Sequence, residues 1–167
     1  MAYGTGLIPR VDKILGPGNL FVALAKRMVS GAVGVDSISG PTETLVIADS
    51  TVGPEHVAAD LLAQAEHDAL AQPILITTSP ELIEQLPGEI DRQLEGLARA
   101  SIARESIEKR AIFILVDDIR KAVQLANEYA PEHICLEVAD PWGLLDLVHS
   151  AGGIFLGNRS VEALGEY

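Results

Sequence analysis

The sequence predicts an α/β fold with a largely parallel sheet and helices on both of its faces. Three observations carry that prediction. From Asp49 onward, short apolar runs alternate with helical stretches, the order a parallel sheet demands because each strand must be reached by a crossover. Thr44-Leu-Val-Ile-Ala48 is apolar without alternation, as expected of a central strand covered on both faces. Between residues 31 and 40 the texture changes to Gly and Ser (GAVGVDSISG), which marks a boundary or hinge between two units. A chain of 167 residues has room for one ordinary core and part of a second.

Val11-Asp-Lys-Ile-Leu15 reads as a short strand, Gly16-Pro-Gly-Asn19 as a glycine turn, and residues 20–29 as a helix. That order puts backbone N–H groups and a helix N-terminus at a strand's carboxyl end, where α/β proteins bind nucleotides. The turn is neither a full dinucleotide fingerprint nor a P-loop, so by itself a plain turn with Asn19 as helix cap is the more ordinary reading. Beyond the boundary, residues 54–70 are expected to be helical, 73–77 a strand, 79–98 a helix jogged at Pro87-Gly88, and 102–109 a short helix. Residues 111–116 then read as a strand, and 117–130 as a helix capped by Asp117 or Asp118. Residues 134–138 follow as a strand, 141–150 as a helix and 153–156 as a strand. The chain reaches Tyr167 inside what reads as a helical turn, as if cut there.

Composition excludes several classes. Hydrophobic residues are 48% and charged residues 22%, which describes a folded chain rather than a disordered one. A net charge of -12, with only 12 scattered Lys and Arg, works against a nucleic-acid partner. Apolar runs are strand-sized, which argues against a membrane span, and residues 1–10 lack a signal-peptide pattern. Cys135, the single cysteine, lies in an apolar strand and reads as a buried hydrophobe, which suits a reducing cytoplasm.

Two constellations could carry chemistry. On the helix from Pro54, His56, Asp60, Gln64 and His67 share a sector beside the apolar face, and Gln64 and His67 are neighbours at i and i+3. Such a pair could grip one metal ion from one helix, although by spacing alone a solvated polar flank is the more ordinary account. Pro131-Glu132-His133 sits in a predicted loop between helix and strand, where Glu and His could act as separate acid–base groups or simply be solvated. His56 and His149 lie on regular helices and read as solvated or structural; Trp142 and Tyr129 read as packing residues.

Taken together and in uninterrupted order, a set of segments resembles histidinol dehydrogenase. The amino-terminal part contributes VDKILGPGN (11–19), AKR (25–27), GPTE (40–43) and LVIAD (45–49). The remainder contributes ADLLAQAEHD (59–68), APEH (130–133), AGGIFLG (151–157) and GEY (165–167). The resemblance implies an incomplete Rossmann-like main domain over residues 39–167, carrying zinc and catalytic residues. Residues 1–38 would be the end of a second, nucleotide-side Rossmann-like domain.

The family oxidises L-histidinol through L-histidinal to L-histidine, the last steps of histidine biosynthesis, with two NAD and one zinc per site. By motif, Gln64, His67 and Glu166 stand at zinc-ligand positions, Glu166 replacing the family's aspartate, and all three also contact substrate. Glu132 and His133 match the catalytic pair, with His133 touching substrate. Asn19 matches an NAD contact, and Thr42 a substrate contact often held by Ser. A further ligand His and a Glu from the partner subunit of a homodimer belong to family regions outside these 167 residues, so the chain alone is expected to be inactive. The alternative is a truncated, catalytically incompetent relative acting as a metal- or partner-binding module.

Overall fold

A computed structural model describes residues 1–16, 18–36, 38 and 43–160. The chain divides into two compact units, Met1–Pro41 and Thr42–Tyr167. In the first, β1 (Lys13–Ile14) and β2 (Gly34–Val35) pair in parallel, Ile14 beside Val35, around helix α1 (Leu20–Val29). Part of the Gly/Ser-rich stretch is therefore a strand. α1 starts where Asn19 Oδ1 accepts the amides of Phe21 and Val22 at 3.1 and 3.3 Å, the ordinary N-cap arrangement.

The second unit holds a five-stranded, all-parallel sheet. Its strands are β3 (Glu43–Ala48), β4 (Gln72–Thr77), β5 (Ile112–Leu115), β6 (His133–Glu137) and β7 (Gly153–Leu156), in the spatial order β5-β4-β3-β6-β7. That is the doubly wound order, with the switch point between β3 and β6. β3 is central, as its unbroken apolar run predicts, and Leu45, Val46, Ile47 and Ala48 are all buried.

Helices α2 (Pro54–Ala65), α3 (Pro80–Leu94) and α4 (Ala100–Arg110) cover one face. Their Leu61, Leu86 and Ile90 pack on Val46, Leu75 and Cys135. α5 (Ile119–Tyr129) and the short α6 (Trp142–Leu145) cover the other, where Val123, Ala126 and Leu144 meet Leu45, Ile47 and Leu136. Each fully buried Leu or Ile contributes roughly 1.5–3 kcal/mol, so both layers are held chiefly by apolar burial.

Four expectations are corrected. α2 stops at Ala65 rather than near residue 70, because the Arg99 guanidinium takes the His67 carbonyl at 3.2 Å and Asp68 accepts the Leu70 amide at 2.8 Å, turning the chain. α3 is one helix through Pro87, held by a buried stripe of Leu82, Leu86, Ile90 and Leu94, and it ends at Leu94. α6 spans four residues, not ten. Asn127 of α5 donates to the Leu147 carbonyl at 2.8 Å and accepts the His149 and Ser150 amides at 3.0 and 3.2 Å, replacing the bonds a longer helix would make. Finally, His133 is the first residue of β6 rather than part of a loop. Trp142, read as a packing residue, is 71% exposed, whereas Cys135 is buried as expected. The expected closing helical turn lies outside the described residues.

Candidate active site

Gln64 and His133, two of the sequence-predicted side chains, lie at the amino edge of the sheet. α2 leaves the carboxyl end of β3 and runs back, so its last turn arrives beside the start of β3. There Gln64 is 1% exposed, and its Oε1 accepts a hydrogen bond from Thr44 Oγ1 at 2.7 Å. Thr44 is in turn the register partner of His133, at the start of β6. One short path thus joins a candidate ligand on the helix to a candidate base on the neighbouring strand.

His133 sits in a narrow seat. Its register partner on β7 is Gly153, where a Cβ would lie 3.1 Å from the His133 ring, and Phe155 meets that ring edge-on at 5.6 Å and 84°. Gly152 is equally constrained, since a Cβ there would come within 2.8 Å of the Glu132 carbonyl oxygen. The same oxygen accepts the Gly153 amide at 2.8 Å. The run Ala151-Gly-Gly-Ile-Phe155 therefore fixes the ring plane of His133 and the backbone of Glu132, whose side chain is half-buried.

His67 follows the end of α2. Its amide bonds to the Gln64 carbonyl at 3.2 Å, which continues the turn, but its side chain is exposed where Gln64 is buried. Thr42 and Glu166 lie outside the described residues. Asn19 belongs to the first unit; its Oδ1 is spent on the α1 cap, so its Nδ2 is the end that could serve a ligand.

Among the described residues no three His, Cys, Asp or Glu side chains converge as a metal cluster. The Gln64 amide nevertheless fits a metal ligand. Its Nε2 is buried and has no hydrogen-bond partner among the described residues. Turned by 180° the amide would donate to Thr44 Oγ1, which can also accept, and present its oxygen to the space now faced by nitrogen.

The acidic residues that sequence reasoning set aside form a second polar centre. Glu137, the last residue of β6, is 1% exposed, and among the described residues its carboxyl oxygens meet no donor in hydrogen-bonding geometry. Burial, and then the carboxyl of Asp60 on α2, push its pKa up to about 9. Burial also raises Asp60, against the opposing pull of Glu137 and of His56. At the carboxyl ends of β3 and β6, Asp49 accepts the amides of Thr51 and Ala139, both at 2.9 Å, and latches the two strands together. Burial pushes the Asp49 pKa up, but its bonds to Thr51 and Ala139 outweigh that and hold it below the ordinary value. The period-2 pattern that places Glu137 on the α2 side of β6 could have revealed the first of these pairings; nothing local announces the Asp49 latch.

Comparison with known proteins identifies the family and the fold. The family model described as histidinol dehydrogenase matches residues 1–167. Histidinol dehydrogenase from Deinococcus radiodurans is 53% identical over 169 residues, which takes in 100% of this chain and 38% of the relative. The crystal structure of histidinol dehydrogenase from Elizabethkingia anophelis superimposes with a TM-score of 0.88 at 44% identity, covering 100% of this chain and 39% of that one. An acetylating aldehyde dehydrogenase from Geobacillus thermoglucosidasius shares the fold alone, at 14% identity and a TM-score of 0.56 over 90% of this chain and 46% of its own. The chain thus spans about two fifths of the length of the relatives it matches. A family model that matches every residue, with a relative 53% identical along the whole chain and a superimposable fold, is decisive: the chain belongs to the histidinol dehydrogenase family.

Proposed function

We propose that these residues supply the zinc-binding and catalytic groups of an NAD-dependent enzyme that oxidises L-histidinol through L-histidinal to L-histidine. The observation that carries this reading is the path from buried Gln64 through Thr44 to His133, which brings a candidate metal ligand and a candidate base to one edge of the sheet. Gln64 and His67, with Glu166, would hold the zinc, and Thr42 would contact substrate. When bound, zinc supplies Lewis acidity toward the substrate hydroxyl and amine, and NAD is the hydride acceptor.

The chain's own residues do the proton work. His133 is held edge-on to Phe155 and close to Gly153, which restricts the ring to one approach direction. A neutral imidazole there accepts the hydroxyl proton as the alcohol is oxidised. Glu132 has a tethered backbone and a half-buried carboxylate, so it can take a proton from the water that adds to the aldehyde. Asn19 Nδ2 would bind the dinucleotide. We further infer a cytoplasmic homodimer in which the 167 residues alone are inactive; no described helix is long and apolar enough to cross a membrane.

The test is zinc content together with NADH formation from L-histidinol by the full-length protein. His133→Ala should lower kcat by roughly 10²–10⁴-fold with zinc retained. Gln64→Ala and His67→Ala should lose zinc and activity together. Unchanged turnover in all three variants would overturn the site.

A further inference from the structure

The first unit holds an ion pair, Lys26 with Asp36, of which the lysine is buried and the aspartate partly exposed. Lys26, on the second turn of α1, is only 7% exposed, unusual for a residue whose charge normally keeps it in water. Its Nζ donates to the Gly16 carbonyl at 2.5 Å and to Asp36 Oδ1 at 2.6 Å. The other oxygen of Asp36 accepts the Gly16 amide at 2.8 Å. Both polar groups of the Gly16 backbone are therefore fixed by one ion pair, and Asp36 is itself set in place directly after Val35, the register partner of Ile14.

Gly16 is where fixing matters. Its φ of +134° is a conformation that a residue with a side chain rarely adopts, so the turn is held by contacts rather than by local preference. Two residues on, Gly18 lies against Val22 so closely that a Cβ would collide with the Val22 side chain, which seats the turn on the first turn of α1. Asn19 follows as the cap, its Oδ1 committed to the helix and its Nδ2 directed by that commitment. Displacing Gly16 displaces the entry to Asn19.

We propose that Lys26 and Asp36 are positioning residues for the dinucleotide: they hold the Gly16 backbone, which precedes Asn19, so that Asn19 and the α1 amino end meet the cofactor in one geometry. This rests on the reading of Asn19 as an NAD contact. Neither Lys26 nor Asp36 touches the cofactor; each acts through the Gly16 backbone. Their removal weakens NAD binding without altering the proton chemistry of Glu132 and His133.

The experiment pairs direct NAD binding to the full-length protein, by isothermal titration calorimetry, with steady-state kinetics in which NAD and L-histidinol are varied separately, for Asn19→Ala, Lys26→Met, Lys26→Arg, Asp36→Asn and the double variant Lys26→Met/Asp36→Asn; the Kd for NAD should move with its KM. Lys26→Met and Asp36→Asn should each raise KM for NAD about tenfold or more, with a much smaller change in kcat at saturating NAD and none in KM for histidinol. The double variant should be no worse than the poorer single one, because either change breaks the same clamp, and Lys26→Arg should recover part of the loss. Should Lys26→Met not accumulate as folded protein, Asp36→Asn, which keeps the shape and removes the charge, decides alone. An unchanged KM for NAD in Asp36→Asn, beside a raised one in Asn19→Ala, would overturn the positioning role and leave Asn19 as a contact. A normal KM for NAD in Asn19→Ala would overturn the reading of Asn19, and the proposal with it. Equal losses in kcat and in both KM values would mark a general structural role and also overturn it.

Discussion

Glu137 ends β6 with a carboxyl that water scarcely reaches, and that has a consequence for stability. The group ionises near its ordinary value of 4.5 when unfolded and near 9 when folded. Between those limits the folded state binds the extra proton, so stability falls as pH rises from about 4.5, and the loss is complete above about 9. Glu137→Gln keeps the shape and abolishes the ionisation. Thermal unfolding of this variant should show a flatter pH dependence and a gain on the order of 1–3 kcal/mol in mildly alkaline buffer. Parallel curves for the two proteins would show that Glu137 is ionised in the fold. Thr44 is the second informative residue. Thr44→Val removes the only donor described for Gln64 Oε1 inside a dry site, which should cost about 1–3 kcal/mol in urea unfolding. Of these side chains, Gln64 and His133 could be named from motifs. Thr44 and Glu137 could not, because their roles depend on which strands lie side by side.

At the scale of elements, strands and helix starts were legible because their causes are local. Ser79 accepts the Leu82 amide and Asp118 the Arg120 amide, as their positions before helical runs imply. Helix ends were not legible, because distant residues set them: Asn127 ends the α6 region from another helix, and Arg99 helps end α2 from 32 residues away. The end of α5 is instructive. Ala130 adopts φ 58° and ψ 62°, the left-handed region, to turn the chain toward Pro131 and β6. An alanine there costs about 1 kcal/mol relative to the glycine usual at this position. Ala130→Gly should therefore stabilise by a few tenths to about 1 kcal/mol, partly offset by the entropy glycine gains when unfolded. Urea unfolding is the check, and destabilisation would mean that the Ala130 methyl is a packing contact.

For the molecule as a whole, a parallel sheet with helices on both faces was predictable from alternation, but its strand order and the edge at which the candidate residues meet were not. β3, buried on both faces and flanked by β4 and β6, should hold the slowest-exchanging amides, those of Leu45 to Ala48, in hydrogen-exchange measurements. Sheets of this order usually bind nucleotides at their carboxyl edge. Here that edge is lined with carboxylates: Asp49 latches β3 to the residues after β6, Glu137 lies buried beside it, and Glu55 folds its carboxylate back against Gly53 at the start of α2. A phosphate would meet carboxylates where it needs donors. For inhibitor design this changes the target. Phosphate-bearing mimics are expected to bind the carboxyl edge of this sheet weakly, because carboxylates stand where donors are needed. If the proposed site holds, selectivity is to be sought at its amino edge, with small molecules that engage the Gln64 amide and the His133 ring.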